Sequence, residues 1–136
     1  MRLNPLMLAP AGVVLALAAC AAVPADQAEV TGTAAYRERI LLPPGHVLTV
    51  RLEDVSLADA PSRTLAEQVT PLEGRGPPYT FNLAYDPAEI RENHSYAVRA
   101  EIRDPEGRLR FTTDTRHSVI TGGAPRSVDI MMVAVP

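Results

Sequence analysis

The sequence has no lysine; all 13 of its basic residues are arginine. That excludes a lysine nucleophile and a phosphate-binding loop built on lysine. It has no tryptophan, and aromatic residues make up only 4% of it, which counts against a sugar-stacking surface. A single cysteine in 136 residues excludes an intramolecular disulfide and a multi-cysteine zinc site. No excess of positive charge is present: 13 basic against 16 acidic residues leave a net charge of −3. A strongly basic nucleic-acid binder is therefore excluded, and no nucleic-acid partner is expected. Glycine is sparse beside proline, 8 against 13. The length allows one domain, or one domain with a tail.

What the chain does have is unevenly spread. Fourteen of the first 19 residues are apolar, and Arg2 is the only charge among them. The apolar run 6–19 is 14 residues, interrupted by Pro10 and Gly12, whereas a bilayer-spanning helix needs roughly 20. A basic start, a short apolar core and small residues at its end read as a secretory signal. The run closes on Leu17-Ala18-Ala19-Cys20, which resembles the lipobox of bacterial lipoproteins: a branched apolar residue, two small ones, then cysteine. In that chemistry the thiol takes a diacylglyceryl group, the small side chains admit a peptidase before the cysteine, and the freed amine is acylated. Residues 1–19 are thus expected to be a signal peptide, Cys20 the lipidation site, and the membrane a partner through Cys20. Two or more acyl chains give stable anchoring at about 0.8 kcal/mol per buried CH₂. Ala21 rather than aspartate follows the cysteine, which points to the outer membrane, facing the periplasm.

Beyond the signal, 117 residues carry a net charge of −4 and are about 42% apolar, an ordinary globular composition. Residues 20–29, the acylated cysteine and a small, polar stretch with one proline, read as a tether; residues 30–136 read as the domain. The periodicity there is two, not 3.6. Strands are expected at 30–36, 47–54, 79–84, 95–103, 108–114 and 127–135. The clearest is 95–103, where Tyr96, Val98, Ala100 and Ile102 alternate with Ala97, Arg99, Glu101 and Arg103. The last, with Val128, Ile130 and Met132 against Asp129, Met131 and Val133, is apolar enough to predict cover on much of both faces. A weaker strand at 65–70, between Pro61 and Pro71, is expected at an edge, open to strand addition by a partner. Asp104-Pro105-Glu106-Gly107 suits a tight hairpin turn. Asp86 and Pro87 suit the cap and first position of one helical turn. Seven strands without a long helix predict an all-β fold, an immunoglobulin-like antiparallel β-sandwich. Tyr96 is a candidate tyrosine corner, its hydroxyl bonding backbone upstream.

The stretches VTGTAAYRERILLPP (30–44), RLEDVSLADAP (51–61), FNLAYDPAEI (81–90) and YAVRAEIRDPEGRLRFTTDT (96–115) together resemble the YbaY family of bacterial lipoproteins, a group that includes YscW, the type III secretion pilotin. The resemblance spans about 30–135. It implies a lipid-anchored β-sandwich in the periplasm with no enzymatic activity. For a pilotin it implies a secretin partner, whose C-terminal segment it binds and which it delivers to the outer membrane. Some relatives carry a further C-terminal domain, which a chain ending at Pro136 is expected to lack.

The residues themselves offer little chemistry. His46, His94 and His117 lack the spacing of a metal pair, no G-x-S-x-G elbow is present, and neither cofactor nor metal is expected. Glu53, Asp54 and Asp59 fit no calcium loop and read as solvated strand-end and turn acids. Arg99, Glu101 and Arg103, with Arg108 and Arg110, read as a charged outer face whose members pair across strands. The function expected is non-enzymatic binding or support of another envelope component. The alternative is a small-ligand or glycan-binding lipoprotein, which would need a pocket lined by Tyr36, Tyr79 or Tyr85.

Overall fold

Alternation of apolar and polar side chains becomes alternation of burial along almost every strand. In a computed structural model, which describes Gly12 and residues 27–136, the strands are β1 (Ala28–Tyr36), β2 (Val47–Asp54), β3 (Arg63–Pro71), β4 (Tyr79–Tyr85), β5 (Tyr96–Arg103), β6 (Leu109–Thr112), β7 (His117–Val119) and β8 (Ser127–Ala134). On β4 every second residue, Tyr79, Phe81, Leu83 and Tyr85, is buried. On β2 the inward set is Leu48, Val50 and Leu52, and on β5 it is Tyr96, Val98, Ala100 and Ile102. Period two delivers these to one face because successive side chains leave a strand on opposite sides.

The all-β class is as expected, with two differences in its wiring. The strands form one path, β3-β2-β5-β6-β8-β1-β4, with β7 paired to β5 off that path. Every pair is antiparallel except β1 with β8, which run parallel from Thr31↔Ser127 to Tyr36↔Met132. Alternation reports which face a residue takes and is silent on the direction of the neighbouring strand. The second difference is an eighth strand. The chain leaves β6 after Thr112, bows outward over residues 113–116, and returns as β7 against Tyr96, Ala97 and Val98. β1 also begins two residues before the expected domain start.

The two ends of the path approach one another. Across the gap between β3 and β4, the Gln68 side-chain oxygen accepts from the Asn82 backbone N–H at 2.8 Å, so one amide side chain stands where a ladder bond would be. The sheet is therefore curled almost into a barrel around a single core. In that core Tyr36 stacks on Phe111 with ring centroids 4.5 Å apart, and Tyr79 lies 6.4 Å from Tyr36. Both hydroxyls reach backbone carbonyls, Tyr36 that of Ile40 and Tyr79 that of Arg75, each at 2.8 Å. Burial, followed by the Tyr36 hydroxyl, pushes the Tyr79 phenol above its ordinary pKa, so it stays a neutral donor. Elsewhere on β1, Gly32 lets the chain pack closely: it faces Phe81 and Val128, and a Cβ there would collide with the Val128 carbonyl.

The local signals hold where they were read. Asp86 caps a 3₁₀ turn (Pro87–Glu89) through Ala88 N–H, with Pro87 at its start. The Tyr96 hydroxyl accepts from the Arg91 N–H at 2.9 Å, the upstream backbone bond of a tyrosine corner. The β5–β6 turn closes by Gly107 N–H to Asp104 C=O at 2.9 Å, with Gly107 at φ 82°, a left-handed conformation that favours glycine. β3 is an edge strand, as its prolines predict. The expected signal peptide at 1–19, the lipidation site Cys20 and the tether to residue 26 lie outside the described residues, apart from Gly12. Among those described, no helix is long and apolar enough to cross a membrane.

Candidate binding surface

The outer faces of β2 and β5 put Arg51 directly opposite Arg99, a like-charge pair that must be compensated. Arg51 is held from both sides, by Glu67 at 2.7 Å and Glu101 at 3.2 Å. The Glu67 hydrogen bond is the chief reason its pKa stands above the ordinary value. Arg103 also reaches Glu101, at 3.3 Å. Arg99 is held only loosely, with Nε 3.7 Å from Glu53 Oε1. The charged outer face expected at Arg99, Glu101 and Arg103 thus exists, whereas Arg108 pairs within its own turn, with Asp104 at 3.1 Å and Glu106 at 3.8 Å. Arg110, its fifth expected member, is exposed on β6.

Two of the acids expected to be solvated are not. Glu53 is only 5% exposed; the register of β2 against β3 slips between Leu52 and Glu53, and Ser62 Oγ donates to its second oxygen. Asp54, at the end of β2, ties two loops together. The His94 imidazole donates from Nδ1 to its Oδ2 at 2.7 Å, Ser56 donates to its Oδ1 through both N–H and hydroxyl, and the Ser56 hydroxyl accepts from Ser95 N–H. Burial pushes the Asp54 carboxyl up, but the Ser56 and His94 bonds outweigh it and hold it below its ordinary value. Asp59 is exposed. A histidine, an aspartate and serines do meet here, yet the Ser56 hydroxyl is committed to the carboxylate, so the arrangement braces loops. The other histidines stand apart. His46 is buried, its Nδ1 2.8 Å from the Pro43 carbonyl. His117 lies on β7, and its Nε2 is buried with no hydrogen-bond partner. Among the described residues no group of three or more His, Cys, Asp or Glu is placed to hold a metal.

Asp104, in the β5–β6 turn, is also buried. Burial pushes its carboxyl up; the Arg108 N–H and guanidinium and the Glu106 N–H together outweigh that and hold it below its ordinary value.

Sequence reasoning missed the surface around the outward bow at 113–116. On one side lies a cavity of about 190 Å³, bordered by Glu53, Ala97, Arg99, Thr113 and Arg116. On the other lies a cavity of about 340 Å³, bordered by His117, Met131 and Val133. Asp114 and Thr115 border both. The expectation that β8 is covered on both faces fails here: Met131 is 41% and Val133 38% exposed. The β6–β8 ladder ends at Thr112↔Val133, and beyond it Met131 and Val133 border an open cavity instead of a paired strand. The unbroken polar run from Thr112 to Ser118 was the available signal. Leu41, in the β1–β2 loop, is a further bare apolar residue at 69% exposed. The tyrosine-lined pocket required by a glycan reading is absent among the described residues: Tyr36, Tyr79 and Tyr85 are core residues.

The described residues thus define a small, nearly closed all-β domain. A family described as "Type III secretion system lipoprotein chaperone (YscW)" matches residues 25–132, and the chain belongs to that family. It is 39% identical over 115 residues to the uncharacterized lipoprotein YbaY of Escherichia coli (strain K12). That match takes in 82% of this chain, which spans about 60% of the length of that curated relative. Its fold matches the structure of an alternative pilotin from the type II secretion system of Vibrio cholerae with a TM-score of 0.77 and 47% identity, over 81% of this chain and 98% of that one. The relatives are described as a lipoprotein and a pilotin.

Proposed function

We propose that this protein is exported with the signal 1–19, acylated on Cys20, and held at the outer membrane facing the periplasm, where it binds an envelope protein and catalyses no reaction. The partner in this reading is a secretin, and the service is pilotin-like: to hold the subunit at the membrane during delivery. The observation that carries it is the 47% identity to the Vibrio cholerae pilotin across 98% of that chain. The exposed, lysine-free outer surface with bare Met131, Val133 and Leu41 supports protein recognition, since such residues gain most by burial against another chain. Deleting the gene and following a secretin by membrane fractionation tests it. Secretin subunits should leave the outer membrane in the deletion strain and return on complementation. An unchanged secretin distribution, together with no secretin co-purifying with the wild-type protein, would sink the reading.

A further inference from the structure

The end of the domain nearest Cys20 along the chain carries features that the core does not use. β1 starts there, opposite the end of β4 at Ala28↔Tyr85, and β2 ends there at Asp54↔Tyr96. The loops 55–62, 86–95 and 120–126 form its rim and are tied to one another. Val55 N–H donates to the Ser95 carbonyl at 2.9 Å, the Thr121 hydroxyl donates to the His94 carbonyl at 2.6 Å, and Arg63 lies 3.5 Å from Glu89. The rim is braced, yet it leaves Leu57 71% exposed, more than any other large apolar residue described. Between two of the loops lies an open cavity of about 450 Å³, bordered by Ile90, Glu92, Ile120 and Arg126 among others. Ile90 and Ile120 pack against the core and are only partly buried. Ile120 is held at φ 73°, left-handed backbone that a β-branched residue rarely adopts, and strain of that kind gathers at ligand clamps. Glu92 and Arg126 are exposed and border the same cavity, with no ion pair to each other or to any described residue. Two opposite charges held apart beside apolar side chains suit a zwitterion that carries a hydrocarbon tail.

We propose that this end docks on the bilayer holding the acyl anchor, and that the cavity takes a phosphoethanolamine headgroup. Its phosphate pairs with Arg126, its ammonium donates to Glu92, its first methylenes lie against Ile90 and Ile120, and Leu57 enters the acyl region beside it. Residues 55–63, 86–95 and 120–126 carry three arginines against four acids, a balance that favours a zwitterionic surface over an anionic one. A primary ammonium can hydrogen-bond Glu92, which a trimethylammonium cannot. The reach of the tether selects this end. From Cys20 to Ala28 the chain spans at most about 26–29 Å, and turning the domain over would consume that reach along β1 itself, about 26 Å of strand. The inference rests on acylation of Cys20, part of the proposed function, and leaves Leu41, at the opposite end, free for a protein partner.

The test uses the acylated protein, purified from membranes and reconstituted into vesicles of phosphatidylethanolamine and phosphatidylcholine that contain a spin-labelled lipid as quencher. A fluorophore is attached at Leu57→Cys or, as the distal control, at Leu41→Cys; acylation occupies the Cys20 thiol, so each introduced thiol is the one that reacts. Quenching at position 57 should exceed that at position 41 several-fold. Replacing phosphatidylethanolamine by phosphatidylcholine or phosphatidylglycerol, or introducing Arg126→Gln or Glu92→Gln, should lower the docked-to-undocked ratio by about tenfold, the range of one charge-assisted hydrogen bond. Circular dichroism melts confirm that each variant is folded, and mass spectrometry of the N-terminus reports acylation independently. If Cys20 is acylated and position 57 is quenched no more than position 41, the inference is overturned while the anchoring reading stands. Quenching that is indifferent to the headgroup and to both charge variants overturns it equally. An N-terminus without acyl groups takes down the anchoring reading and this inference together.

Discussion

A buried position can be decided by one atom. At Gly32, β1 and β8 come close enough that a Cβ would overlap the Val128 carbonyl and press on the Phe81 ring. Backbone cannot rotate away as a side chain can, so Gly32→Ala should destabilise the domain by about 1–3 kcal/mol, at the upper end of that range. A thermal melt should show a fall of roughly 12–24 °C, since 1 kcal/mol moves the midpoint of a domain this size by about 4–8 °C. Asp104 makes a second residue-scale case, this one dependent on pH. Its folded pKa lies below its ordinary value because the Arg108 and Glu106 groups outweigh the opposing effect of burial. A carboxylate of that kind contributes stability above its unfolded pKa of about 4, and the contribution disappears as pH falls through the folded value. Melting midpoints followed downward from pH 5 should therefore drop more steeply in the wild type than in Asp104→Asn. Equal slopes would mean the carboxylate adds nothing by its charge. The turn around Asp104 was legible from Asp-Pro-Glu-Gly alone, because turn chemistry is local. Gly32 was not, because its constraint comes from Val128, 96 positions along the chain.

At the scale of the element, the strands show how far alternation reaches. β2, β4 and β5 appear where period two puts them, and the tyrosine corner and the capped turn at Asp86 follow from short patterns. β8 shows where the method stops: Met131 and Val133 look like a covered face by composition and are bare in the fold. Cover is a property of the neighbouring chain, and here the β6–β8 ladder ends at Thr112↔Val133. The β3 edge gives a test. If the Gln68 side chain substitutes for a ladder bond to Asn82, Gln68→Ala should cost about 1 kcal/mol. The Asn82 amide should then exchange with deuterium several-fold faster, while amides in the β1–β4 ladder keep their protection. An Asn82 amide that stays protected in the variant would show that the β3–β4 gap is closed by other means. The same bond bears on recognition at this edge: β3 ends the strand path, yet β4 faces it across Gln68, so a partner strand would have to displace that contact.

For the whole molecule, the decisive residue is one whose surroundings the fold does not describe. Cys20 is the chain's single cysteine and follows Leu17-Ala18-Ala19. Cys20→Ser should leave an unacylated precursor that no longer fractionates with the outer membrane, and mass spectrometry of the wild type should show an acylated N-terminus at Cys20. Normal cleavage and unchanged fractionation of the variant would remove the anchoring proposal while leaving the domain's fold intact. If the tether is as read, the distance from Cys20 to the start of β1 at Ala28 is at most about 26–29 Å for a fully extended chain. The domain would then work within a few nanometres of the bilayer.

The all-β class, the strand positions, the turn chemistry and the likeness to a lipoprotein family were present in the linear sequence, because each rests on short-range patterns: side-chain alternation, proline and glycine placement, and the contiguous motifs of the family. What the tertiary structure alone decided is the parallel β1–β8 pairing, the near-closure at Gln68 and Asn82, the burial of Glu53, the exposure of Met131 and Val133, and the cavity that Arg99 and Arg116 both border. These are relations between residues far apart in the chain. They depend on which strand lies next to which and on where a strand pair ends, quantities that no local pattern carries.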